Sequence, residues 1–281
     1  MPNTASHDWP FRADSRQVRA RPHDWCVIDH GTGPEVLLLH GAGASGHSFR
    51  HLIPALAGWR CIVPDLPGQG FTRAGSRTRF GIEPMAEDLA ILLAQEGWRP
   101  QVVIGHSAGA ALALQLSTLV PLRAVVGINA ALGGFEGAAG FLFPLMARAL
   151  SVTPFVPAIV SRLWGTEGKV RSLLNNTGSP LDASGVAQYL ALVRKATHID
   201  GTLGMMAQWR IDRLMALAPQ LTTRTLLLAT AGDRIVPPRI SRRAETLLPR
   251  ANYLELPGLG HLAHEEDAPA VAQAITHWLA R

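Results

Sequence analysis

Hydrophobic positions along the chain alternate between short continuous apolar runs and longer segments with helical spacing. Residues 36–39 (Val-Leu-Leu-Leu) and 102–104 (Val-Val-Ile) carry no polar alternation, the pattern of strands covered on both faces. Further strands are expected over 16–21, 25–30, 61–63 and 122–128. Helical spacing runs over 47–57 and 83–96, and the Ala/Leu-rich stretch after Ser107 has high helix propensity. Strands and helices therefore follow one another at βαβ spacing, which predicts a mostly parallel sheet.

The rhythm breaks at Gly133-Gly134. From 135 to 217 the pattern is helical, punctuated by Pro and Gly, with no convincing strand. Alternation then resumes with a strand at 225–229, a helix at 239–247, a strand at 253–256 and a helix at 269–280. The simplest organisation is a sheet-based core of residues 1–132 and 218–281, with a helical cap of residues 133–217 inserted in it. With 281 residues, 47% of them hydrophobic, the chain can bury a core of this size.

Candidate chemistry centres on Gly105-His106-Ser107-Ala108-Gly109, which follows an apolar strand and opens a helix. In that context the Gly-x-Ser-x-Gly pattern places a serine on a tight, strained turn with its hydroxyl above the sheet edge. The plainer alternative is a strand-to-helix turn with a capping serine. A serine nucleophile needs a base within reach and a group that orients the base, both at the carboxyl ends of strands. Asp233, in Ala231-Gly232-Asp233, and His261, in Pro257-Gly258-Leu259-Gly260-His261, each follow a predicted strand, and the order Ser, Asp, His suits the architecture. Three rivals weigh less. Asp65 sits among Pro and Gly as a loop-fixing carboxylate, His106 is a packing neighbour of the serine, and His264 lies at a helix start one turn beyond His261. The backbone N–H groups of Ala42, in His40-Gly41-Ala42-Gly43, and of Ala108 are the candidate oxyanion donors.

Other function classes recede. The net charge is +5, but Lys and Arg are scattered and no basic and aromatic interleave marks a nucleic-acid site. No phosphate loop or dinucleotide fingerprint is present, and His264-Glu265-Glu266 lacks the second histidine of a zinc helix, so neither cofactor nor metal is expected. Cys26 and Cys61 read as buried free thiols. Residues 1–10 lack the apolar core of a signal peptide, and the apolar region 141–160 is interrupted by Pro144, Arg148, Pro154 and Pro157. A cytoplasmic protein without a transmembrane segment is expected, with an amphipathic surface-seeking stretch left open. The cap carries Phe135, Phe141, Phe143, Trp164, Met205, Met206 and Trp209; of these, Trp209 and Met205 are the candidate substrate contacts, for a large, flat, apolar substrate.

These motifs, taken with Asp65-Leu66-Pro67-Gly68-Gln69-Gly70, resemble the α/β-hydrolase superfamily over nearly the whole chain. The resemblance implies a mostly parallel eight-stranded sheet flanked by helices, with an inserted helical cap. A narrower similarity is to the magnesium-chelatase accessory proteins of bacteriochlorophyll biosynthesis (the BchO family). It is carried by Asp8-Trp9-Pro10, Gly41-Ala42-Gly43-Ala44-Ser45, Thr177-Gly178-Ser179, Met205-Met206-Ala207-Gln208-Trp209 and Pro257 through Glu266. It implies a role near magnesium insertion into a porphyrin or a later chlorophyll-precursor step, with chelatase subunits as partners. Two readings follow: a serine esterase using Ser107, His261 and Asp233, or a non-catalytic porphyrin-binding accessory protein. A lyase or C–C hydrolase would use the same three residues.

Overall fold

One eight-stranded sheet runs through the computed structural model, which describes residues 9–133 and 155–281. Its strands are β1 (Ser15–Ala20), β2 (His23–His30), β3 (Glu35–Leu39), β4 (Arg60–Pro64), β5 (Val102–His106), β6 (Ala124–Ile128), β7 (Arg224–Thr230) and β8 (Ala251–Leu256). They lie in the order β1-β2-β4-β3-β5-β6-β7-β8. The first two are antiparallel, and the remainder run parallel to one another. The expected mostly parallel sheet is therefore present, with β5 in its interior.

Side chains of the central strands alternate between two apolar layers. Leu37, Leu39, Val103, Val125 and Leu227 enter one layer, packed by helices α2 (Ile82–Glu96) and α3 (Ala108–Leu116). Val36, Leu38, Val102, Ile104, Val126 and Leu228 enter the other. That side is closed by α1 (Leu52–Ala55) and by the last helix of the chain, whose Val271, Ile275 and Trp278 face it. Both faces are dry, which is why these strands read as unbroken apolar runs. Cys26 and Cys61 are free and buried, as expected.

The helix expected over 47–57 differs. The chain forms a 3₁₀ turn at Gly46–Phe49 and then only the four-residue α1. Pro54 has no N–H to donate to the Arg50 carbonyl, and Arg50 N–H closes a three-residue turn on His47 O at 3.0 Å instead. The helix start expected at His264 is present as a short helix after the His261 turn.

Between β6 and β7 the described residues hold helices and no strand: α4 (Val156–Trp164), α5 (Glu167–Asn176), α6 (Ala183–Val193), α7 (Ala196–Gln208) and α8 (Asp212–Leu217). Phe135, Phe141 and Phe143 lie outside the described residues. After β7 come α9 (Pro238–Leu247), α10 (Ala263–Glu266) and α11 (Ala268–Leu279). The inserted helices are anchored through Val170, Leu174, Val186 and Tyr189, which cluster with Ala44 and Leu262. Beneath that contact, buried Glu265 accepts from Tyr189 Oη–H at 2.7 Å and pairs with Arg50. Among the described residues no helix is long and apolar enough to cross a membrane.

Candidate active site

Ser107 stands at the carboxyl end of β5 with φ 53° and ψ −116°, a left-handed conformation that a non-glycine residue adopts only under constraint. The constraint is visible on both sides. A Cβ on Gly105 would lie 2.2 Å from Gly109 O, and one on Gly109 would lie 2.1 Å from Leu39 O. Only glycine lets α3 leave the sheet so abruptly. Ser107 N–H donates to Ile128 O at 2.9 Å, tying the turn to β6. Ser107 is half-buried, and its Oγ makes no hydrogen bond among the described residues.

Asp233 and His261 come together. His261 Nδ1 lies 2.7 Å from Asp233 Oδ2, while Asp233 Oδ1 accepts from the Ile235 and Val236 N–H groups at 2.7 and 2.8 Å. A carboxylate only accepts, so the imidazole proton sits on Nδ1 and Nε2 keeps its lone pair. The structure brings the His261 turn to the serine turn through His106: its Nε2–H donates to the His261 carbonyl at 2.8 Å, and the two rings are 4.7 Å apart. No direct hydrogen bond joins Ser107 to His261, a common state before substrate arrives.

Several supports of this turn had no role assigned to them from the sequence. Asn129, strained at φ 47°, places Nδ2 3.0 Å from His261 O and 3.1 Å from Gly260 O. Thr230 donates to Gly260 O at 2.7 Å. The signal for Asn129 was a single polar residue closing the all-apolar β6. From the inserted helices, Thr177 O accepts from both Arg234 N–H and His261 N–H at 3.3 Å. Ser179 Oγ accepts from Leu262 N–H at 2.8 Å and donates to Glu266, which also accepts from Gly260 N–H at 2.9 Å. The Thr177-Gly178-Ser179 segment thus straps together the loops that carry Asp233 and His261.

Ala42 and Ala108 follow β3 and β5, neighbouring strands of the sheet. Neither N–H donates a hydrogen bond among the described residues. The loop that carries Ala42 is held from behind. His40 accepts from Leu66 N–H on Nε2 at 2.8 Å, which leaves its Nδ1–H to donate to Gly41 O at 2.8 Å. Gln69 Oε1 accepts from Gly43 N–H at 2.7 Å, and its Nε2 donates to the fully buried Met205 sulfur at 3.2 Å. His198 of α7 accepts from Gly70 N–H at 3.0 Å and reaches Gly43 O at 3.2 Å. Trp209, at the end of α7, is half-buried and packs on the adjoining core. Asp65 is a loop carboxylate, accepting from Gly46 and Phe71 N–H at 2.7 and 2.8 Å. His264 does not reach the serine; it is fully buried between Phe49 and His106 at 5.1 and 4.4 Å, with both ring nitrogens unpartnered among the described residues.

These rings give the fold a pH signature. Burial pulls His40 down to about 4, His198 and His264 to about 3, and His47 and His106 well below the ordinary 6.5. The unfolded chain therefore binds protons first on acidification. Stability from these groups is complete above about pH 6.5 and is lost as pH falls toward the folded values, by at most about 1.4 kcal/mol per ring per pH unit. Burial raises Asp65 to about 6 and also raises Glu265, which acts in the opposite sense. Five rings outweigh two carboxyls. The melting temperature should fall between about pH 7 and pH 5; a flat or rising profile would mean that the rings take up protons within the fold.

Comparison with known proteins agrees with this architecture. The chain is 48% identical over 281 residues to the magnesium-chelatase 30 kDa subunit of Rhodobacter capsulatus, covering 99% of each. It is 27% identical to a pimeloyl-[acyl-carrier protein] methyl ester esterase of Xanthomonas axonopodis, covering 90% of this chain and 97% of the esterase. The crystal structure of a bromoperoxidase from Bacillus anthracis superposes with a TM-score of 0.78 at 18% identity, covering 95% of this chain and 100% of that one, and so shares the fold. Residues 34–268 match the family model of the alpha/beta hydrolase fold, and the chain belongs to that family, in the same group as the 30 kDa magnesium-chelatase subunit.

Proposed function

We propose that the chain is a serine hydrolase of a carboxylic ester borne by a tetrapyrrole such as a chlorophyll precursor. Ser107 Oγ attacks the ester carbonyl carbon as His261 Nε2 takes its proton. The resulting oxyanion is held by the N–H groups of Ala42 and Ala108. His261 returns the proton to the departing alcohol, and water then cleaves the acyl-enzyme with His261 again as base. The observation that carries this reading is the Asp233–His261 bond at 2.7 Å, which directs the imidazole proton to Nδ1, on a turn that His106 ties to the strained serine turn. The tetrapyrrole class rests on the 48% identical relative named as a magnesium-chelatase subunit. In this reading the described helices of 155–217 cap the site, Trp209 touches substrate, and Met205 acts through Gln69.

That same relative's name favours a second reading, an accessory protein that holds a porphyrin or docks on chelatase subunits without catalysis. A lyase or C–C hydrolase would draw on the same three side chains. Fluorophosphonate treatment followed by intact-mass analysis and peptide mapping separates the first two. One phosphonyl adduct, mapped to Ser107, is expected. Absence of an adduct, together with saturable quenching of added protoporphyrin fluorescence, would replace the hydrolase with the carrier.

A further inference from the structure

Helix α4 is built inside out. Its buried positions are Pro157 and Ser161, whereas Phe155, Ile159 and Leu163, spaced four residues apart, are 73, 52 and 55% exposed. Trp164 adds a fourth large apolar group at 48%. A surface helix of a globular protein normally turns its apolar stripe inward. Single exposed hydrophobics need no explanation, but a contiguous stripe marks a contact site.

Cations lie beside the stripe and gather at its carboxyl end. Arg162 is exposed on α4 itself. Lys169 Nζ donates to Leu163 O at 2.5 Å, and Arg194 Nε donates to Gly165 O at 3.0 Å, so both side chains converge on the carboxyl end of the helix. Arg171 follows on α5, paired with Glu167, the one acidic residue in 155–176. Apolar groups rimmed by Lys and Arg are what an interfacial helix offers to an anionic bilayer.

We propose that α4 is a docking face for the headgroup region of an anionic lipid bilayer. A second copy of this chain is the weaker occupant: a symmetric contact would set Arg162, Lys169 and Arg194 against themselves, and like charges across an interface are penalised. The inner side of α4 rests on α7, which carries His198 against the Gly43 and Gly70 loops. Docking therefore brings the candidate site close to the lipid, where an amphipathic ester would partition. The proposal stands apart from the serine chemistry and survives if Ser107 is inert.

Sedimentation with vesicles of phosphatidylglycerol and phosphatidylcholine, against phosphatidylcholine alone, tests it. The protein should pellet with the anionic vesicles only and be released by added salt. The Ile159→Asp/Leu163→Asp variant should stay in the supernatant with an unchanged circular-dichroism melt. The Lys169→Gln/Arg194→Gln variant should bind about fivefold more weakly per charge removed. The proposal is overturned if the wild-type protein ignores both vesicle types or if the Ile159→Asp/Leu163→Asp variant pellets like the wild type. It is equally overturned if vesicle-free sedimentation velocity shows self-association that this variant abolishes, which would assign the face to a second copy.

Discussion

Ser107→Ala is expected to lower ester turnover by about 10⁶-fold while leaving the melting temperature where it was. The two halves of this expectation have separate causes. Turnover falls because no other hydroxyl stands on the strained turn at the end of β5, and the loss of a nucleophile removes the covalent route altogether. What remains is the rate supported by binding and the Ala42 and Ala108 donors, about 10³–10⁴ above water. Stability holds because Ser107 Oγ has no hydrogen-bond partner to lose among the described residues, and the backbone strain at φ 53° is the same for alanine as for serine. Hydrolysis of a p-nitrophenyl ester, followed beside a thermal melt, reads both quantities. A variant that retains turnover removes Ser107 from the reaction; one that has lost its melt says nothing about nucleophilicity, and the unchanged circular dichroism guards against that confusion.

Much of this site is legible in the sequence, for a simple reason. Residues that must stand at strand ends are announced by the strands themselves: β5 and β7 are marked by apolar runs and β8 by a mixed Tyr-Leu-Glu-Leu stretch, each ending in a Gly-containing turn. The pairing of Asp233 with His261 follows from that placement. The layer behind it was not legible. Asn129, Thr230, Thr177 and Ser179 act through carbonyl and amide groups whose positions depend on three separate loops meeting, and no spacing rule links residues so far apart in sequence. Gln69 and His198 escaped for the same reason. The helix expected over 47–57 failed because apolar spacing was given more weight than Pro54. Helix α4 marks a different limit. Periodicity shows that Phe155, Ile159 and Leu163 share a face, but only packing shows that the face turns outward.

Asp233→Asn should cut kcat/KM by about 10⁴, or about 5.5 kcal/mol, through the proton on His261 rather than through the position of its ring. Asp233 Oδ1 is already claimed by two backbone N–H groups, from Ile235 and Val236. An asparagine would keep its carbonyl oxygen on those two donors, since exchanging it for the amide would set donors against donors. The amide nitrogen must then take the place of Oδ2, 2.7 Å from His261 Nδ1. Two N–H groups cannot face each other, so the imidazole shifts its proton to Nε2 and offers its lone pair to the amide. Nε2 becomes a donor and, in the proposed reaction, can no longer accept the Ser107 proton. The fluorophosphonate labelling rate should drop together with ester turnover, because both need the serine deprotonated. Activity should recover partly at high pH, where hydroxide can replace the lost base. Near wild-type labelling in this variant would mean that His261 is oriented by its carbonyl contacts to His106 and Asn129 alone, and that Asp233 serves only to hold the turn at Ile235 and Val236.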